Sequence, residues 1–256
     1  MVNLWQALVL FGQFFTKINI PIVIDNPVDK FRTKIQYITL FGLLLGLLEA
    51  LFFWGLTFIY PLWLAWIGYW ILDGIITGGF HLDALSDTAD GLFSSRAPDQ
   101  IFKIMKDSRI GTMGSLALIY YYLVALGASI TICRYLSVIK LVMLTAILTM
   151  LTKTGLSLLF YQMKYVGNKQ GLASIWLNVR NWQIIFAQLF SAIVIFVAFN
   201  WQGIVSYFFM VICAYSYRKY IIHILGGFSG DTLGAFASLA PVLFLLFLTA
   251  ILRITQ

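Results

Sequence analysis

Seven apolar runs dominate the chain, near residues 35–59, 62–80, 112–132, 138–158, 182–199, 203–222 and 233–252, with short polar stretches between them. Each approaches the roughly 17–25 residues that a helix needs to cross a hydrocarbon core. None shows the strict apolar–polar alternation of a barrel strand, and lipid supplies no partners for backbone N–H and C=O groups, so the runs predict helices. A shorter apolar run lies within residues 1–16 and predicts a membrane-surface or re-entrant helix. It has no basic stretch before it and no small-residue cleavage site after it, so it does not read as a cleaved signal. No linker, low-complexity tract or clear internal repeat divides the chain, which predicts a single membrane-embedded domain over 1–256. The expected fold is all-α: a polytopic integral membrane helical bundle of about seven transmembrane helices plus short interfacial helices.

Composition strengthens this picture. The chain is 61% hydrophobic and 11% charged, whereas soluble domains carry about 25% charged residues. The net charge of +7 would suggest an acidic partner in a soluble protein, but here the position of the basic residues matters more. Thirteen of the 17 lysines and arginines, including Lys17, Arg96, Lys103, Lys106, Arg109, Lys164, Lys169 and Arg180, fall in alternate loops, against three (Arg134, Lys140, Arg253) in the others. Cytoplasmic loops carry the basic excess, so the N-terminus is expected in the cytoplasm and the C-terminus outside, with no nucleic-acid partner. The two cysteines, Cys133 and Cys213, have neither metal-ligand nor disulfide-framework spacing.

Against this apolar background the stretch HLDALSDTAD, 81–90, stands out. It holds Asp83, Asp87 and Asp90, three of the ten acidic residues in the chain. In a helix over 82–95 they fall within about 60° of one another, on a stripe shared with Ser86 and Ser94. Like charges on one stripe repel, and no basic residues stand at i+4 to relieve them. Carboxylates so placed suit a hard divalent cation, Mg²⁺ or Mn²⁺. The plainer alternative is a solvated helix face between two spans. His81, two residues from a candidate ligand, is a candidate general base or phosphate contact; a structural histidine is the alternative.

Two further polar segments sit on the same expected side. In IFKIMKDSRIGTMG, 101–114, Lys103, Lys106 and Arg109 recur every three residues around Asp107. The strip reads either as an interfacial helix drawn to anionic lipid or as a phosphate-binding strip facing the aspartates. In GGFSGDTLGA, 226–235, a glycine-rich turn precedes Asp231 and Thr232, either of which is expected to cap the following helix, whose free N–H groups suit a phosphate. Lys153, Glu49 and Asp73 fall inside apolar runs, where charge is costly and faces a cavity or a partner; snorkelling of Lys153 is the alternative.

The segments together resemble the cobalamin synthase family, the adenosylcobinamide-GDP ribazoletransferases. The family's GG-x-H-x-D-x-L-x-D-x-x-D-G-L run stands here as GGFHLDALSDTADGLF, its D-S-R-x-G-T-x-G as DSRIGTMG, and its G-G-x-x-G-D-T-L-G-A as GGFSGDTLGA. The order matches, and the likeness spans essentially the whole chain, weakly between the motifs. The chain departs from many members at Ala84, where a glycine is common, at Lys153, where an arginine is common, and at FASLAP, where Ser238 and Pro241 follow the third motif in place of an acidic residue.

The resemblance implies a single catalytic domain joining adenosylcobinamide-GDP to α-ribazole or its 5′-phosphate, with adenosylcobalamin (or its 5′-phosphate) and GMP as products. It implies Mg²⁺ held by Asp83, Asp87, Asp90 and Asp231, and catalysis by those first three with His81. It implies substrate contacts from Arg96, Lys106, Asp107, Arg109, Lys153, Asp231 and Thr232. The expected location is the cytoplasmic (inner) membrane, with the site facing the cytoplasm and the lipid bilayer as partner, and a homo-oligomer is compatible. Two alternatives stay open. A CDP-alcohol phosphotransferase runs analogous chemistry, but in DGLFSSR the arginine falls one place late for its motif. An ion-coupled transporter would use the aspartates as a relay, but carriers often carry internal repeats.

Overall fold

The computed structural model describes residues 3–166 and 176–255; Lys169 lies outside the described residues. The fold is helical, as expected. Short helices α1 (Leu4–Phe15) and α2 (Pro27–Thr33) lead through a 3₁₀ turn (Ile35–Tyr37) into α3 (Ile38–Thr57) and α4 (Leu62–Thr77). Helices α5 (Phe80–Leu92) and α6 (Pro98–Met105) follow, then α7 (Thr112–Ile132), α8 (Val138–Leu159), α9 (Asn181–Leu225) and α10 (Gly230–Thr255).

By length and apolar composition, five segments can cross a membrane: Ile35–Thr57, Thr112–Ile132, Val138–Leu159, Asn181–Leu225 and Gly230–Thr255. The expected count of about seven is not confirmed: α4 is shorter than these five, and the runs over 182–199 and 203–222 lie within the one segment Asn181–Leu225. The run expected over 62–80 stops at Thr77, because Gly78 and Gly79 both take left-handed backbone angles (φ 66° and 67°) and turn the chain into α5. The remaining α4 has 16 residues and is shorter than the others. The runs expected over 182–199 and 203–222 are two arms of α9, which leaves helical geometry at Asn200 (φ 50°, ψ −143°). Tyr207 Oη donates a hydrogen bond to Gln188 Oε1, although 19 residues of straight helix would separate them by about 28 Å. The arms therefore fold back on each other at Asn200.

Outer faces remain apolar. Leu44, Leu47, Leu48 and Leu51 of α3 and Ile193, Phe196 and Val197 of α9 are exposed, forming surface that water disfavours and a bilayer accepts. Inside, α8 runs through the centre, with Leu141, Leu144, Leu148, Met150 and Leu151 fully buried. It packs against α3, α9 and α10. Helix α1 buries its inner face, Ala7, Leu10, Phe11 and Phe15, in the same core as Phe31 and Phe41.

Small residues set the closest of these approaches. A Cβ at Gly42 would lie 3.0 Å from the Met150 Cα, and one at Gly46 would collide with the Ala146 carbonyl. Lipid is as apolar as leucine, so such backbone proximity and the dispersion it brings, rather than hydrophobic exclusion, hold the pair together. Replacing Gly46 with alanine should force α3 off α8 and cost about 1–3 kcal/mol. Thermal unfolding in detergent checks this; an unchanged midpoint would contradict the packing.

Candidate active site

The three polar motifs meet around α5. Its first turn follows the Gly78–Gly79 turn, and Ala84, Leu85, Thr88 and Ala89 face inward, while Ser86, also buried, lies beside Asp90. The opposite stripe carries Asp83, which is exposed, and Asp87 and Asp90, which are half-buried. Helix periodicity thus delivers the stripe that the spacing predicts, although the helix runs from Phe80 to Leu92 rather than over 82–95.

Asp90 joins the first motif to the second. Its Oδ2 accepts the Gly111 N–H at 2.7 Å and its Oδ1 the Gly114 N–H at 2.8 Å. These are free donors at the N-terminus of α7, so a carboxylate from another helix caps it, favoured by the dipole. Side chains at 111 or 114 would collide with Asp90, and at 114 also with Ser86; this explains both glycines in DSRIGTMG. Each Asp90 oxygen has a second lone pair, so the cap does not remove it from a cation's donor set.

The third motif reaches α5 through α10. Gly226 ends α9 with φ 77°, and Phe228 pairs its backbone with the segment after α8, its N–H donating to Lys164 O at 2.7 Å. The cap of α10 is Ser229, correcting the expectation of Asp231 or Thr232. The Ser229 N–H donates to Thr232 Oγ1 at 2.8 Å, and the Thr232 N–H donates to Ser229 Oγ at 3.2 Å, a reciprocal capping arrangement. Thr232 is fully buried in this role, while Asp231 stays partly open. A Cβ on Gly234 would come within 2.6 Å of the Ala84 Cβ, so α10 lies tightly on α5.

Two cavities open beside this junction and share Phe14, Phe80 and Asp83. One, of about 600 Å³, is walled by aromatic rings and includes His81, Lys106, Ser229 and Asp231. The other, of about 900 Å³, is lined by Asp83, Ser86, Asp87, Ser108, Lys17 and neighbouring polar groups. Lys17, whose N–H donates to Ile76 O at 2.7 Å, escaped the sequence reading as a site residue because nothing in its own segment marks it.

His81 and Lys153 form a buried pair, with Lys153 Nζ 3.0 Å from His81 Nε2 and 4.3 Å from the centre of the Phe15 ring. Burial first, and Lys153 second, hold the imidazole well below its usual pKa, so it is neutral. An ammonium facing Nε2 leaves the ring proton on Nδ1, which is buried and has no hydrogen-bond partner. Lys153 is 1% exposed, so it reaches the site only through His81. Beneath them a cavity of about 20 Å³ is lined by Asp73, Thr149, Lys153 and Ser238; two positions departing from the family pattern, Lys153 and Ser238, therefore face one space. Glu49, fully buried, accepts a hydrogen bond from Thr149.

The remaining expected contacts lie further out. Arg109 is exposed and grips Asp107, with Nη2 2.6 Å from Oδ2, and these hydrogen bonds hold the Asp107 carboxyl down at about 2. Arg96 is exposed in the turn after α5. Neither arginine lines the two cavities, nor does Asp107.

The family profile described as cobalamin-5-phosphate synthase matches residues 7–249. The chain belongs to this family. Relatives named adenosylcobinamide-GDP ribazoletransferase include one from Listeria monocytogenes serovar 1/2a (strain ATCC BAA-679 / EGD-e), 38% identical over 90% of this chain and 92% of the relative. Another, from Clostridium novyi (strain NT), is 33% identical over 94% of this chain and 95% of its own. A third, from Vibrio cholerae serotype O1 (strain ATCC 39541 / Classical Ogawa 395 / O395), is 31% identical over 97% and 95%. No solved structure matches the chain.

Like charges crowd together on α5. Partial burial, then the charges of Asp83, Asp231 and Asp90, raise the Asp87 carboxyl from 3.8 to about 6. Among the described residues none of these four carboxylates has a salt-bridge partner, and no group of three or more His, Cys, Asp or Glu is closed tightly enough to hold an ion as it stands. The donor set, four carboxylates, fits a hard cation in chemistry and charge.

The like-charge crowding has a measurable sign. Below pH 3.8 Asp87 is protonated folded or unfolded; between 3.8 and about 6 only the folded state keeps its proton, so stability falls as pH rises through that window and stays low above it. Asp87→Asn should therefore raise the metal-free unfolding midpoint at pH 7 by about 1–3 °C and flatten its dependence between pH 4 and 6. A lower midpoint at pH 7 would contradict the crowding. Gly114→Ala should displace Asp90 from α7 and lower kcat by about tenfold or more, measured by product formation; unimpaired turnover would remove Asp90 from the positioning role.

Proposed function

We propose that the protein is an adenosylcobinamide-GDP ribazoletransferase, a multi-pass enzyme of the cytoplasmic membrane with its site facing the cytoplasm. It joins adenosylcobinamide-GDP to α-ribazole or its 5′-phosphate and releases GMP, a late step in cobalamin synthesis. The observation that carries this reading is the convergence of three motifs, distant in sequence, on one carboxylate-rich junction between two cavities. The family membership and the names of the relatives support the substrate pair. The excess of basic residues in one set of loops supports the orientation.

The reaction is displacement at a pyrophosphate. A ribose hydroxyl of ribazole attacks the phosphorus next to the cobinamide; the bond from that phosphorus to the bridging oxygen breaks, and GMP carries the oxygen away. Asp83, Asp87 and Asp231, with Asp90 at the α7 joint, would hold Mg²⁺, which when bound neutralises the pyrophosphate and the developing charge. A carboxylate of this cluster that is not fully committed to the cation accepts the hydroxyl proton. His81 presents Nδ1–H as a donor and is poorly placed as a base, since Lys153 occupies Nε2. Lys106, lining the aromatic cavity with Asp231, supplies positive charge for a phosphate; the exposed Arg96 and Arg109 would meet substrate only at the rim.

Purified protein in detergent, given adenosylcobinamide-GDP, α-ribazole and Mg²⁺, should release GMP in step with corrinoid product, and EDTA should stop both. Absence of GMP, together with solute flux in proteoliposomes, would replace this reading with a transporter.

A further inference from the structure

The two cavities differ in chemistry in a way that sorts the substrates. The 600 Å³ cavity has pre-set aromatic walls. Trp176 is 3% exposed and stacks on Phe160 at 4.7 Å with 16° between the ring planes, with Phe15 at 6.2 Å and 17° on another side. Phe80, 44% exposed, meets Phe14 edge-on at 5.8 Å. Phe102 lines this cavity and not the other. The 900 Å³ cavity instead offers Gln13, Lys17, Asn19, Thr77, Ser108 and Asp87.

Resting on the function proposed above, we infer that the aromatic cavity seats the benzimidazole of ribazole and the polar cavity seats the guanosine pyrophosphate arm of adenosylcobinamide-GDP. Both substrates carry a flat heterocycle, so stacking alone does not choose between them. Hydrogen bonding does. Dimethylbenzimidazole attached to ribose has an apolar, methylated edge and no N–H to satisfy. Guanine carries N–H, NH₂ and carbonyl groups on one edge; the aromatic cavity has few uncharged polar partners for it, such as Ser229 beside Lys106 and Asp231, and groups left unpaired against its rings are costly. The amides and hydroxyls of the polar cavity supply partners for it, and Lys17 supplies charge toward phosphate. Rigid aromatic walls bind a flat apolar ring with little ordering cost. Asp83, common to both cavities, then stands where the ribose hydroxyl from one side meets phosphorus from the other. The attacking oxygen forms its bond to phosphorus there, the bridging oxygen departs with GMP into the polar cavity, and the hydroxyl proton passes to the aspartate cluster.

The test is steady-state kinetics with each substrate varied. Phe102→Ala should raise KM for ribazole about three- to tenfold and leave KM for adenosylcobinamide-GDP within about twofold, whereas Lys17→Ala should do the converse. Wild-type enzyme gives a second measurement that needs no variant to fold. Free 5,6-dimethylbenzimidazole should compete with ribazole and not with adenosylcobinamide-GDP, and GMP should show the opposite pattern. Competition of dimethylbenzimidazole with adenosylcobinamide-GDP, or a crossed pattern of KM changes, would overturn the assignment while leaving the enzyme's activity established. Wild-type protein that releases no GMP from the two substrates would overturn the function itself.

Discussion

The carboxylate of Asp90 accepts two backbone N–H groups from the start of α7, at Gly111 and Gly114, and the site depends on that clamp. It fixes where the loop carrying Lys106 and Ser108 returns to the aspartate helix. It also requires glycine at both positions, because any side chain there would occupy the space of the carboxylate. A charged acceptor satisfies free helix donors in a half-buried setting, where leaving them unpaired would cost far more than the bond gains. On the opposite side, Gly234 lets α10 lie against Ala84, bringing Asp231 to the same junction. Two close approaches, one hydrogen-bonded and one steric, therefore assemble four carboxylates from two helices.

Beneath that junction sits a second layer of polar groups inside the apolar bundle. Lys153 is enclosed by His81 and the face of Phe15, and Glu49 is enclosed with Thr149. Buried ionisable groups are costly in such surroundings, and the contact of Lys153 with His81 of α5 ties it to the site rather than to the lipid-facing surface. The neutral His81 is the link: Lys153 settles which ring nitrogen carries its proton, and so whether the ring donates or accepts.

Much of this was legible in the residues. The aspartate stripe follows from i, i+4, i+7 spacing, and the all-helical fold follows from the length of the apolar runs. Helix ends and reversals were less so. Nothing in the apolar run around Asn200 announces that α9 doubles back there, and glycines 78 and 79 fall inside the apolar run over 62–80, whose pattern does not mark the end of α4. Partners distant in sequence were not legible either. That Asp90 also caps α7 was hidden, because the donors that hold it lie more than 20 residues away. Asp231 and Thr232 both looked like caps, while Ser229 takes that place. The pairing of Arg109 with Asp107 depends on a turn that spacing does not specify. Which aromatics wall a cavity was not legible, because they come from α1, α5, α6 and the segments flanking α8 and α9.

The central claim is that Asp231, from the last motif, shares one cation site with Asp83 and Asp87 of the first. Mn²⁺ titration of detergent-solubilised protein, followed by electron paramagnetic resonance, addresses it without relying on turnover. With a shared site, Asp83→Asn and Asp231→Asn each weaken the same bound Mn²⁺ signal, by about tenfold or more in affinity for removal of one charged ligand. Undiminished Mn²⁺ affinity in Asp231→Asn, alongside its loss in Asp83→Asn, would contradict a shared site.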